Sequence, residues 1–93
     1  MAVFYILEIP GVDQRQYDQV ISKLNWGGHI PPGLGLLFLA AGPMEGGWRV
    51  VNCWESEQAF QAFLNETLGK LQGEAGIPPV QPKKTTAHTL FIK

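Results

Sequence analysis

Along the chain, dense apolar runs alternate with stretches in which apolar side chains recur every three or four residues. Residues 2–9 (Ala-Val-Phe-Tyr-Ile-Leu-Glu-Ile) are rich in β-branched and aromatic side chains and stop at Pro10-Gly11, which predicts a first strand. Asp13 then offers an N-cap with Gln16 three residues on, the spacing of a capping box. Tyr17, Val20, Ile21 and Leu24 follow at i, i+3, i+4 and i+7, the stripe of an amphipathic helix. Residues 25–33 hold Gly27, Gly28, Gly33, Pro31 and Pro32 and read as a loop. Residues 34–41 are almost wholly apolar, residues 42–47 carry turn chemistry, and residues 48–55 are strand-like again, so a hairpin is predicted. Ser56 is a good N-cap, and Glu57 places negative charge in the first turn that follows. Ala59, Phe60, Phe63, Leu64, Thr67, Leu68 and Leu71 mark one face of a second helix, with Gly69 as a point where it could end. A Gly- and Pro-rich loop spans 73–82, and residues 85–92 suit a last strand with His88 at its middle.

The order β-α-β-β-α-β predicts an α+β, ferredoxin-like fold: a four-stranded antiparallel sheet with two helices on one face. Two helices cover one face only, and a face open to water should alternate apolar with polar residues. Here the alternation fails. The first strand carries Val3, Tyr5, Leu7 and Ile9 on one side and Ala2, Phe4 and Ile6 on the other. Simple alternation in the second strand sets Leu34, Leu36, Phe38 and Ala40 against Leu37, Leu39 and Ala41. An uncovered apolar face of that size is unusual in a soluble monomer. A homodimer closed through the helix-free sheet face is the simplest solution.

Length and composition narrow the picture. Ninety-three residues make a single domain, 1–93. With 45% hydrophobic and 16% charged residues, the chain can bury a core. A net charge of −1 argues against a nucleic-acid partner, since the only basic run is Lys83-Lys84. Cys53 is the only cysteine, which excludes a disulfide framework. Cys53, His29 and His88 lack metal-ligand spacing, so no metal is expected. No apolar stretch is long enough to span a membrane, and the N-terminal run lacks a basic leader, so a soluble cytoplasmic protein is expected. The stretch Gly33-Leu34-Gly35 lacks a third glycine and runs into a strand, which removes the dinucleotide fingerprint; no cofactor is expected.

The run Trp54-Glu55-Ser56-Glu57-Gln58-Ala59-Phe60, with Pro31-Pro32-Gly33, Ala40-Ala41-Gly42-Pro43 and Gly47-Trp48-Arg49-Val50-Val51, resembles the dimeric α/β-barrel superfamily. The resemblance is to a small bacterial branch related to antibiotic-biosynthesis-type monooxygenases, haem-degrading monooxygenases and stress-responsive barrel proteins. It implies a dimeric barrel and, for an enzyme, cofactor-free oxygenation of an aromatic substrate that supplies its own electrons. The monooxygenase pattern often places a Glu two residues before the Trp and a His one turn after the helix Ala. Those positions are Asn52 and Phe63 here, so the usual polar constellation is incomplete.

The residues themselves offer a limited chemical set. His88 and Asn52 are the polar candidates for a catalytic or ligand-orienting role, the first because imidazole titrates near neutral pH, the second because a buried amide needs a partner. Trp54, Phe60, Phe63 and Tyr17 would form apolar walls between helices and sheet, and Trp26, in the Gly-rich loop, would close over them. His29 and Arg49 read as a solvated side chain and an ion-pair partner. Two functions stay open. One is a protein, monooxygenase-like or purely binding, that holds an apolar or aromatic small molecule. The other is a non-catalytic structural homodimer or a subunit for another protein. A pocket above about 300 Å³ with a convergent polar group favours the first, a filled interior the second.

Overall fold

The computed structural model describes residues 2–77 and 81–92. The elements run β1 (Val3–Pro10), α1 (Gln14–Leu24), β2 (Leu36–Met44), β3 (Gly47–Trp54), α2 (Glu57–Phe63), a π-helical turn (Leu64–Leu68), α3 (Gly69–Glu74) and β4 (Lys83–Thr86). The sheet has the order β2-β3-β1-β4 and is antiparallel throughout. This is the expected ferredoxin-like arrangement, with α2, the π turn and α3 continuing one another as a single helical arm. Part of the 73–82 loop, residues 78–80, lies outside the described residues.

Alternation builds the core. Val3, Tyr5, Leu7 and Ile9 of β1 are all buried and face Trp54, Asn52, Val50 and Trp48 across the β3 ladder. Successive strand residues point to opposite faces, so this set lies under the helices. The local signals at the helix starts are realised. Asp13 Oδ1 accepts from the Gln16 backbone N–H at 2.9 Å, and Gln16 Oε1 accepts from the Asp13 N–H at 3.4 Å. Ser56 Oγ accepts from the Ala59 N–H at 3.2 Å. Gly69 does not end the second helix. Its N–H reaches the Leu64 carbonyl five residues back, so one extra residue is taken into the turn. Phe60 and Phe63 precede that turn and are buried, whereas no residue of the π turn or α3 is. The arm is tied to α1 at its far end by the Lys23–Glu74 ion pair at 2.7 Å.

The hairpin is tighter than the 42–47 turn expected from composition. Only Glu45 and Gly46 form the turn, and Gly42 and Pro43 belong to β2. Pro43 is tolerated because β2 is the outer strand, where a missing N–H breaks no inner ladder. Gly47 is required by contact: a Cβ there would collide with the Ile9 carbonyl oxygen and Pro10.

Two expectations need correction. The last strand covers Lys83–Thr86, not 85–92. Thr86 pairs with Val3, the first residue of β1, and the Ala87 N–H still reaches the Ala2 carbonyl at 2.9 Å. His88 therefore lies beyond the strand and is exposed, as are Leu90, Phe91 and Ile92. The second correction concerns parity in β2. A bulge between Leu36 and Phe38 breaks the simple alternation. Leu36 turns into the core, while Phe38 and Ala40 share the helix-free face with Phe4, Ile6 and Val51.

That face is apolar at one end and ionic at the other. Arg49 Nη2 donates to Glu8 Oε2 at 2.7 Å, and Lys83 Nζ donates to Glu8 Oε1 at 2.8 Å. The bond from Lys83, then that from Arg49, holds the Glu8 carboxyl down to about 2.

Phe63 rests its ring 5.4 Å from that of Trp54, so Phe63→Ala opens a hole in the core. Urea unfolding should show a loss of about 3–5 kcal/mol. Because the folded pKa of Glu8 lies below its ordinary 4.5, its contribution is complete above that value and is lost as pH falls toward 2. Glu8→Gln should flatten that segment of the stability–pH curve while leaving the neutral-pH shape of the curve unchanged.

Candidate functional site

β3 carries the centre of the site. Asn52 and Trp54 are two residues apart, so both stand on the helix-covered face. The Trp54 indole N–H donates to Asn52 Oδ1 at 2.6 Å, and both side chains are buried. This bond fixes the amide and leaves its NH₂ group as the donor. Around the indole an aromatic chain crosses the core. The Trp54 ring meets Phe60 edge-on at 5.8 Å, and Phe60 stacks on Tyr5 at 3.8 Å with 19° between planes. On its other side Trp54 meets Phe63, and Phe63 meets Trp26 at 5.9 Å.

Beside this chain lies a cavity of about 50 Å³ between α1, the helical arm and the sheet. Leu7, Val50, Asn52 and Trp54 form its floor and Leu68, Gln72 and Ile77 are on its wall. Tyr17, Phe60 and Phe63 also line it. Five of the residues singled out from sequence, Trp54, Asn52, Phe60, Phe63 and Tyr17, thus come together. Trp26 does not line this cavity. It lies in a second, more open groove of about 260 Å³ between α1 and the loop, with His29 and Ile30. Tyr17, Ile21 and Leu39 belong to both spaces. His88 belongs to neither, and its expected place as a polar handle is withdrawn: the strand ends before it.

Tyr17 is the titratable group on the cavity wall. Burial, and secondarily the Asp18 charge, push its phenol upward, so it stays protonated at neutral pH. The Cys53 thiol is also pushed up by burial and is a poor nucleophile there. Tyr5 Oη and Trp48 Nε1 are buried without a protein partner. Burial, then the Glu57 charge, raises the Tyr5 phenol. Among the described residues no cluster of His, Cys, Asp and Glu could hold a metal, and no helix is long and apolar enough to cross a membrane. The cavity presents apolar walls and a fixed amide donor, but its volume lies well below about 300 Å³, the size expected of a ligand pocket.

Sequence reasoning missed Leu39, Gln72 and Ile77. Simple alternation sets Leu39 on the face opposite Leu36, whereas the bulge, which has no local signature, brings both to the helix-covered face. Gln72 lies four residues beyond Leu68, and that spacing could have placed it on the same stripe.

A scan against protein-family models finds no match, and no curated protein matches the chain. Solved structures do match. A protein described as a candidate antibiotic biosynthesis monooxygenase from Chloroflexus aurantiacus J-10-fl superposes with a TM-score of 0.65 at 15% identity, covering 98% of this chain and 97% of that one. The chain shares its ferredoxin-like fold. A mutant of MhuD with two manganese protoporphyrin IX molecules bound per active site superposes with a TM-score of 0.53 at 20% identity, covering 100% and 99%. The likeness extends over essentially the whole chain in both cases and is one of fold.

Asn52→Leu leaves the Trp54 N–H buried without an acceptor and should cost about 1–3 kcal/mol in urea unfolding. In a Trp54→Phe background, which has no indole donor, the same substitution should cost markedly less. Equal costs in the two backgrounds would show that the pair is not coupled.

Proposed function

We propose that this protein binds an apolar, aromatic small molecule between its helices and its sheet, and does so as a homodimer joined through the helix-free sheet faces. The observation that carries the first part is the cavity itself. Native cores are close-packed, and a space walled by Trp54, Phe60, Phe63 and Tyr17 with one fixed amide has the composition of a small-molecule site. The fold neighbours support this choice: one is described as a candidate antibiotic biosynthesis monooxygenase, and another holds a planar macrocycle. At about 50 Å³ the cavity is smaller than a porphyrin or any smaller aromatic guest, so binding requires its roof to move.

The roof supports a site that enlarges. The π turn and α3 bury no residue of their own, and π turns are frequent at functional sites. If the bound molecule is oxidised, this chain's part is to position it against Asn52 and to exclude water. Tyr17 stays neutral, so the wall supplies no base and the substrate must lose its proton by its own acidity.

The helix-free face supports the dimer. Phe4, Ile6, Phe38 and Val51 are only half-buried there, a contiguous apolar patch that a second copy would cover. A second reading, a structural homodimer without a ligand, draws on the small volume of the cavity, which lies below the size of ordinary ligand pockets.

A thermal-shift series with indole, naphthalene and haem separates the two. A ligand at about a hundred times its Kd should raise Tm by roughly 10 °C or more. No shift with any aromatic compound, together with a stable dimer, would favour the structural reading. For assembly, sedimentation at micromolar concentration should show a dimer that Phe38→Lys abolishes, because a buried unpaired charge is not tolerated. A parent protein that sediments as a monomer would contradict the proposed interface.

A further inference from the structure

The groove beside the Gly-rich loop has features that the interior cavity lacks. It offers about 260 Å³, whereas the interior offers about 50 Å³, room for one or two waters. Its walls are Tyr17, Ile21, Trp26, Ile30 and Leu39, and no Asp, Glu, Lys or Arg lines it. Ile21 and Ile30 are each 37% exposed, two of the few large aliphatic side chains open to water in the described chain. Gly27 and Gly28 contribute bare backbone to the remaining wall. Both have positive φ, 66° and 85°, and a Cβ on either would meet nothing within 4 Å. The backbone there needs glycine for its turn, and the result is a flat wall with no side chain projecting from it.

The groove is continuous with the interior through shared side chains. Tyr17, Ile21 and Leu39 face both spaces. Trp26 packs on Phe63, which lines the interior, so the loop is attached to the aromatic chain around Trp54.

We propose that this groove is the outer station of the ligand site, and that it takes a flat, uncharged aromatic molecule of naphthalene size between α1 and the loop residues 26–30. The inference rests on the small-molecule reading above and adds where the molecule first lodges. Aromatic and aliphatic walls select the apolar body. The lack of charged side chains excludes ionic ligands, because nothing would repay their desolvation. His29 at the rim is the polar group available to a substituent such as a hydroxyl. Movement of Tyr17, Ile21 and Leu39 would then connect the station to Asn52.

The test is an amide and indole NMR titration of the full chain with 2-naphthol. Binding at the station moves the Trp26 indole signal and the Gly27, Gly28 and His29 amides. Ile30→Asp places a charge in the groove at an exposed position and should weaken binding at least tenfold. Its Tm should stay within a few degrees of the parent, and Ile30→Lys, with the opposite charge at a position that lines only the groove, serves as a second variant. Shifts confined to Leu7, Val50 and Asn52, with both variants binding like the parent, would overturn the outer station while leaving the interior site standing. An absence of any shift at millimolar 2-naphthol would overturn the small-molecule reading and the station with it.

Discussion

The hydrogen bond from the Trp54 indole to Asn52 organises the interior of this molecule. A fully buried indole N–H needs an acceptor, and a buried amide needs a donor; adjacent inward positions of β3 satisfy both. With the indole fixed, Phe60 and Phe63 take edge and tilted positions against it, Tyr5 stacks beyond Phe60, and Trp26 is drawn in from the loop through Phe63. The helical arm buries Phe60 and Phe63 in its first turns, whereas Leu64, Leu68 and Leu71 pack against the core only partly buried. The cavity lies where these fully and partly buried parts meet. Its position follows from the anchoring of one end of the arm, and its chemistry from the same amide that anchors the indole.

The two faces of the sheet answer different demands. The covered face fills with large aromatic side chains because two short helices must close over four strands. The other face is split. Phe4, Phe38 and Val51 gather at one end, and Glu8 bridges Arg49 and Lys83 at the other. A surface that is apolar throughout would pair in many registers. In the proposed dimer, an ionic cluster at one end would restrict how the second copy approaches, since two clusters of like excess charge do not stack on each other.

Much of this was legible in the sequence because it depends on short-range rules. The Asp13–Gln16 spacing, the Ser56 cap and the strict alternation of β1 each have a local cause and appear as read. The elements that differed depend on partners the sequence does not display. The expected strand through His88 has good strand composition, but a strand exists only as far as its neighbour, and β1 begins at Val3, opposite Thr86. The parity of Leu36 and Phe38 depends on a bulge whose extra residue pairs with nothing. The residues of the site were readable as a stripe on α2 and the Asn52–Trp54 pair on β3. Their meeting place with Leu39, Gln72 and Ile77 was not, because the π turn and the bulge both shift which side chains face inward.

The central claim is that the helix–sheet interior is an apolar site able to accept a guest, rather than a packing remainder. Xenon tests this directly, since it enters apolar cavities without needing any specific contact. In crystals of the protein held under xenon pressure, a bound atom is predicted between Leu39, Asn52, Trp54 and Phe63, with the roof at Leu68 displaced outward. A structure in which that space stays empty under pressure, with Leu68 and Gln72 unmoved, would contradict the account.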